Sequence, residues 1–108
     1  MSKEILFIFA EAIKQKRVIL VSFIAKSGER IDRRCIPLDF SPSNQSKHLL
    51  YKYHVWDMHS IPNPHILSLA PEQIVHFELT EESFLPEKII TWTRKFPWTI
   101  IRNWGEHS

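Results

Sequence analysis

A single helix-period stripe at the N-terminus gives way, at Val18, to a run of short β-branched and aromatic segments. That change of period restricts the fold more than any other feature of the chain. Ile5, Phe9, Ala12 and Ile13, with Ile8 between them, recur at three- and four-residue spacing and line one face of a helix. Ser2 is a capping residue, Glu4 places negative charge in the first turn, and Lys14, Lys16 and Arg17 place positive charge at the end. Each suits the helix dipole. The spacing predicts a helix over residues 3–16.

Val18–Ile24 is a strand by residue type and length, and Lys26-Ser27-Gly28-Glu29 supplies a hairpin loop to a second strand over Arg30–Ile36. Pro37 brings no donor and limits the ladder there. Ser41–Ser46 is loop chemistry, and a third strand is predicted over 48–58. A fourth follows at His65–Leu69, and a fifth at Ile74–Leu79, where Val75, Phe77 and Leu79 alternate with His76 and Glu78. Pro86 at a first-turn position predicts a helix to about Arg94, and Trp98–Trp104 reads as a last strand ended by Gly105. The expected architecture is mainly β: a small five-stranded antiparallel barrel with an N-terminal helix and a Trp-rich helix-strand extension. Closure is expected because it removes the edges that so few strands would otherwise expose. No linker divides the chain, so residues 1–85 read as the helix-plus-barrel domain and 86–108 as an extension packed on it.

Composition excludes several function classes. A chain of 108 residues with 44% apolar and 24% charged side chains is one ordinary globular domain. A net charge of +2 is too mild for a dedicated nucleic-acid binder, although a local basic patch is compatible with it. Cys35 is the only cysteine, which rules out an internal disulfide and a thiolate zinc site, and fits a reducing cytoplasm. No apolar run approaches the ~20 residues of a membrane span. Glu4 and Glu11 flank the apolar run at Ile5–Ala10 and argue against a secretory signal.

The stretch Arg33-Arg34-Cys35-Ile36-Pro37-Leu38, followed by a polar loop and Tyr51-Lys52-Tyr53-His54-Val55-Trp56-Asp57, resembles the layout of the WYL domain, a ligand-sensing barrel of prokaryotic regulators. The similarity covers roughly residues 5–85. Tyr51-Lys52-Tyr53 falls where the family's signature sits, and Trp56-Asp57 where its strand closes. The resemblance implies an Sm-like or SH3-like core. It also implies a non-enzymatic regulatory module that binds an anionic ligand, a nucleotide or nucleic acid, near Arg33, Tyr51 and His65. His65 stands where the family places one arginine, and Ala70-Pro71-Glu72 occupies the place of a second. The family's preceding helix-turn-helix domain has no counterpart here, so direct DNA reading is not expected.

The residues carry plainer readings beside these. Arg33 and Arg34 are neighbours on one strand and point to opposite faces, so at most one lines a groove; both are also ordinary solvated strand arginines. Tyr51 and Tyr53 share a face, either stacking bases beside Lys52 or filling a half-buried strand surface. Six histidines lack metal-ligand spacing, and no metal or cofactor is expected. Cys35 reads as a small buried hydrophobe. A metal-free, toxin-like ribonuclease using His54, Tyr51 and Lys52 is a competing class, and a structural, oligomer-forming barrel or interaction module is a third. Trp92, Trp98 and Trp104 either pack over a barrel end or form a homodimer or partner surface with Arg94 and Arg102.

Overall fold

A computed structural model describes residues 3–42, 50–58, 65–89 and 98–104. Helix α1 (Lys3–Gln15) leads into strands β1 (Arg17–Ile24), β2 (Arg30–Pro42), β3 (Tyr51–Asp57) and β4 (His65–Leu69). A 3-10 turn, η1 (Pro71–Gln73), strand β5 (Ile74–Ser83) and the short helix α2 (Pro86–Ile89) follow. The strands form one antiparallel sheet in the order β4-β3-β2-β1-β5. The expected helix and five strands are present. The sheet is unclosed, however, because β4 and β5 do not pair.

The predicted stripe is the buried face of α1. Phe9, Ala12 and Ile13 lose all exposure against β1, β2 and β5, with Ile5 and Ile8 packed at the margin. Phe9 sits at the centre of an aromatic cluster, 4.9 Å from Tyr53 and 5.5 Å from Phe77 between ring centroids. Tyr53 in turn meets Phe77 at 5.1 Å and Phe40 at 4.4 Å. Lys16 ends the helix with a left-handed φ of 56° and accepts a hydrogen bond from the Phe84 amide, fastening the end of β5 to the helix–strand corner. The β1–β2 loop closes through Ala25 N donating to Glu29 O and Gly28 N to Ala25 O. Gly28 there adopts φ 91°, a conformation other residues avoid.

Strand β2 departs most from expectation. It continues past Pro37 to Pro42, pairing first with β1 and then with β3. Cys35 is the handover residue, opposite both Ile19 and Asp57. Pro37 lies past the last β1 pair, so its missing donor breaks nothing on that side. Leu38 is then a bulge: Pro37 faces Val55 and Asp39 faces His54, leaving Leu38 without a partner. Directly opposed residues point to the same face. Cys35 and Pro37 therefore share the inner face with Asp57 and Val55, whereas beyond the bulge it is Phe40, opposite Tyr53, that points inward. Asp39 is turned outward.

A second bulge, between the pairs Phe23–Ile74 and Ser22–His76, leaves Val75 unpaired and 44% exposed. Of the predicted inner residues of β5, only Phe77 is buried. Residues 98–104 are irregular rather than a last strand. The predicted helix does start at Pro86, and residues 90–94 of it, including Trp92, lie outside the described residues.

Candidate functional site

The sequence-predicted ligand residues fall into separate places. Arg33, on the inner face opposite Val21, approaches the buried Asp57 carboxylate, with Nε 3.7 Å from Oδ2. Arg34, on the outer face opposite Leu20, is paired with Glu82. His65 is placed by its backbone alone, opposite Asp57 and so at the Arg33 end of the sheet; its side chain lies outside what the structure describes. Tyr51 stands opposite Pro42, six residues along β3 from Asp57, which is about 20 Å of strand. Arg33 and the His65 backbone therefore lie toward one end of β3 and Tyr51 at the other.

Tyr53 is a core residue. Its ring has no exposure and its hydroxyl has no hydrogen-bond partner among the described residues, so it has no surface on which a base stacks. Burial also pushes its ionisation above the usual phenol range. A stranded hydroxyl costs stability. Tyr53→Phe should therefore raise unfolding free energy by about 1 kcal/mol in urea titrations. A fall of that size would reveal a partner for the hydroxyl.

Cys35 is likewise buried, and its thiol is pushed up to about 12, first by desolvation and then by Asp57. A thiol that stays protonated is inert as a nucleophile. His54 has both ring nitrogens occupied: Nδ1 lies 2.8 Å from Ser68 Oγ and Nε2 3.0 Å from the Ser41 carbonyl. The carbonyl only accepts, so Nε2 is the donor in that bond. Among the described residues, no group of histidine, cysteine and acidic side chains is arranged to hold a metal. No described helix is long and apolar enough to cross a membrane.

Tyr51 belongs to a different constellation. A cavity of about 640 Å³ opens at the end of the sheet where β1 finishes, β3 begins and β4 passes into β5. It is lined by 24–26, 50–52 and 70–73, and its volume is in the range of small-ligand pockets. Ile24, Leu50 and Tyr51 are exposed apolar side chains that meet there, Tyr51 at 46% exposure with its ring 5.2 Å from Phe40. Lys26, Lys52 and Glu72 supply the charge.

The wall is firmly built. The Ala70 amide donates to Gln73 Oε1, Gln73 N donates to the Ala70 carbonyl, and Gln73 Nε2 donates to the Ile24 carbonyl at 3.1 Å. Gln73 thus ties η1 to the end of β1. The described arginines are already engaged: Arg30 with Asp32, Arg33 with Asp57, Arg34 with Glu82, Arg102 with Asp39, and Arg17 with the Thr80 carbonyl. Lys26 and Lys52 form no ion pair with a described residue. Sequence reasoning picked out Tyr51 and Lys52 but passed over Lys26 and Glu72, which stand in two separate turns and carry no motif.

A second polar centre is buried and holds the chain together. Asp39, turned outward by the bulge yet only 5% exposed, is covered by residues 98–104. Its carboxylate accepts from the Thr99 and Ile100 amides, both at 2.9 Å, and meets Arg102 Nη2 at 3.3 Å. The Arg102 guanidinium lies over two indoles, 3.8 Å from the Trp98 centroid and 4.5 Å from that of Trp104, and donates from Nε to the Ile100 carbonyl. Desolvation draws its ionisation down to about 10, against the pull of Asp39. Trp104 Nε1 donates to the Ile13 carbonyl at the end of α1, and its ring packs on Phe84. Trp98 and Trp104 therefore pack onto the domain itself; Trp92 lies outside the described residues.

Compared with protein-family models, with curated proteins and with solved structures, the chain matches none.

Proposed function

We propose that this chain is a WYL-like ligand-sensing or regulatory module with an Sm-like or SH3-like core. In this reading it binds an anionic, aromatic ligand of the nucleotide class, free or within a single strand, in the cavity beside η1. The supporting observation is a conjunction. An exposed tyrosine and two lysines that are not neutralised by described residues meet at one preformed cavity, whereas the described arginines are spent on the protein's own acceptors. A base stacked on Tyr51 with its phosphate at Lys26 and Lys52 uses both halves of that surface. The helix followed by five antiparallel strands supports the family resemblance. Arg33, Arg34, Tyr53 and His65 leave the ligand set and Lys26 and Lys52 enter it. The nuclease reading has less support, because the cavity lining does not include His54 and both its ring nitrogens are engaged.

Thermal-shift titration with nucleoside monophosphates and a short oligonucleotide, at low and high salt, tests the proposal. Ligand at a hundredfold excess over Kd stabilises the fold by about 2.7 kcal/mol, and the shift shrinks as salt rises. Tyr51→Ala should weaken binding by about 1–3 kcal/mol, while Arg33→Ala leaves it unchanged. A flat response across the panel overturns the proposal in favour of a structural, oligomer-forming or interaction module.

A further inference from the structure

We infer that the cavity discriminates among bases, preferring a guanine-type base whose two adjacent N–H donors face Glu72; this rests on the nucleotide-binding reading above. Among the described residues Glu72 is the only carboxylate in the cavity lining, and it has neither a hydrogen bond nor an ion pair with a described residue. Its backbone is held, because Ala70 and Gln73 close the turn with two hydrogen bonds, Gln73 ties it to Ile24, and Pro71 stiffens its first position. The other group able to read a base edge, the Gln73 amide, has its oxygen and one N–H committed to Ala70 N and Ile24 O.

An ionised carboxylate only accepts hydrogen bonds, so it selects the base that offers it donors side by side. Guanine presents N1–H and its exocyclic amine in parallel, the same two-pronged match that arginine makes with a carboxylate. Adenine and cytosine each set one amine beside a ring-nitrogen acceptor, and uracil flanks one N–H with carbonyls. All three leave an oxygen of Glu72 facing a lone pair. Tyr51 supplies a stacking surface that tolerates any base, and the lysines hold phosphate regardless of base, so discrimination falls to Glu72.

Calorimetric titration of the full chain with GMP, IMP, AMP and CMP tests this. GMP should bind roughly 10- to 100-fold tighter than AMP, with IMP, which keeps N1–H but lacks the amine, in between. Glu72→Gln places a donor beside an acceptor, the complement of the adenine and cytosine edges, so it should erase the GMP preference and favour AMP and CMP. A carboxylate with a merely structural role would not produce that switch. Equal affinities for the four nucleotides, still lost in Tyr51→Ala, overturn the discrimination and leave the nucleotide-binding reading standing. Absence of binding by every nucleotide overturns both.

Discussion

Asp39→Ala should destabilise the domain by about 3–5 kcal/mol, because it breaks a buried pair on one side. The substitution removes the acceptor of two amides and the partner of a guanidinium whose side chain has no exposure. The positive charge then stays buried over two indoles, which attract it from their faces but accept no strong hydrogen bond. Arg102 Nη1 already has no hydrogen-bond partner among the described residues, so little capacity remains to absorb the loss. Tryptophan fluorescence during urea unfolding reports this directly, because Trp98 and Trp104 frame the pair. The double variant Asp39→Asn, Arg102→Met should recover a good part of the loss, since a buried pair replaced on both sides costs far less than one broken on one side. A single-variant effect below about 1 kcal/mol would mean that residues 98–104 are not locked onto β2.

Phe9→Ala is expected to cost about 3–5 kcal/mol through lost burial and the cavity left behind. Phe9 has no exposure and links α1 to Tyr53 of β3 and Phe77 of β5, which lie on opposite sides of the sheet order. Because the sheet does not close on itself, this helix residue joins its two halves across the interior. Against a total stability of about 5–15 kcal/mol for a typical domain, that loss lowers the melting temperature steeply. Chemical denaturation of Phe9→Leu alongside Phe9→Ala separates the two contributions, since the leucine keeps much of the apolar volume. If both variants unfold within about 1 kcal/mol of the parent, the helix is an accessory and not part of the core.

How much of this was legible in the sequence depends on whether a feature is local. The α1 stripe, β1 and β4 are short, uninterrupted patterns, and each emerged where residue type placed it. β2 was cut short because Pro37 is a local stop signal, and only the position of the β1 ladder makes it harmless there. The inner face of β5 was misassigned at Val75 because a bulge breaks a period that reads unbroken in the sequence. The same limit governs the site. Tyr51 and Lys52 stood out as aromatic beside basic, but Lys26 and Glu72 join them only when two distant turns meet. Asp39 and Arg102 are 63 residues apart, and no pattern at either end announces the other. Tyr53 read as a possible stacking surface because alternation tells which residues share a face and not how deep each one lies.

The extra residue in β2 makes this molecule unequally tolerant of changes in length. At the β1–β2 turn, the space around Gly28 is open, so the chain can be lengthened there with no neighbour to displace. Deleting Leu38 would leave Pro37–Val55, Asp39–His54 and Phe40–Tyr53 as consecutive pairs, so Asp39 and Phe40 would keep their faces, but it would take a buried side chain out of the core. Added length at the β1–β2 turn therefore meets no neighbour, whereas a residue lost at the β2 bulge preserves the pairing and costs core burial.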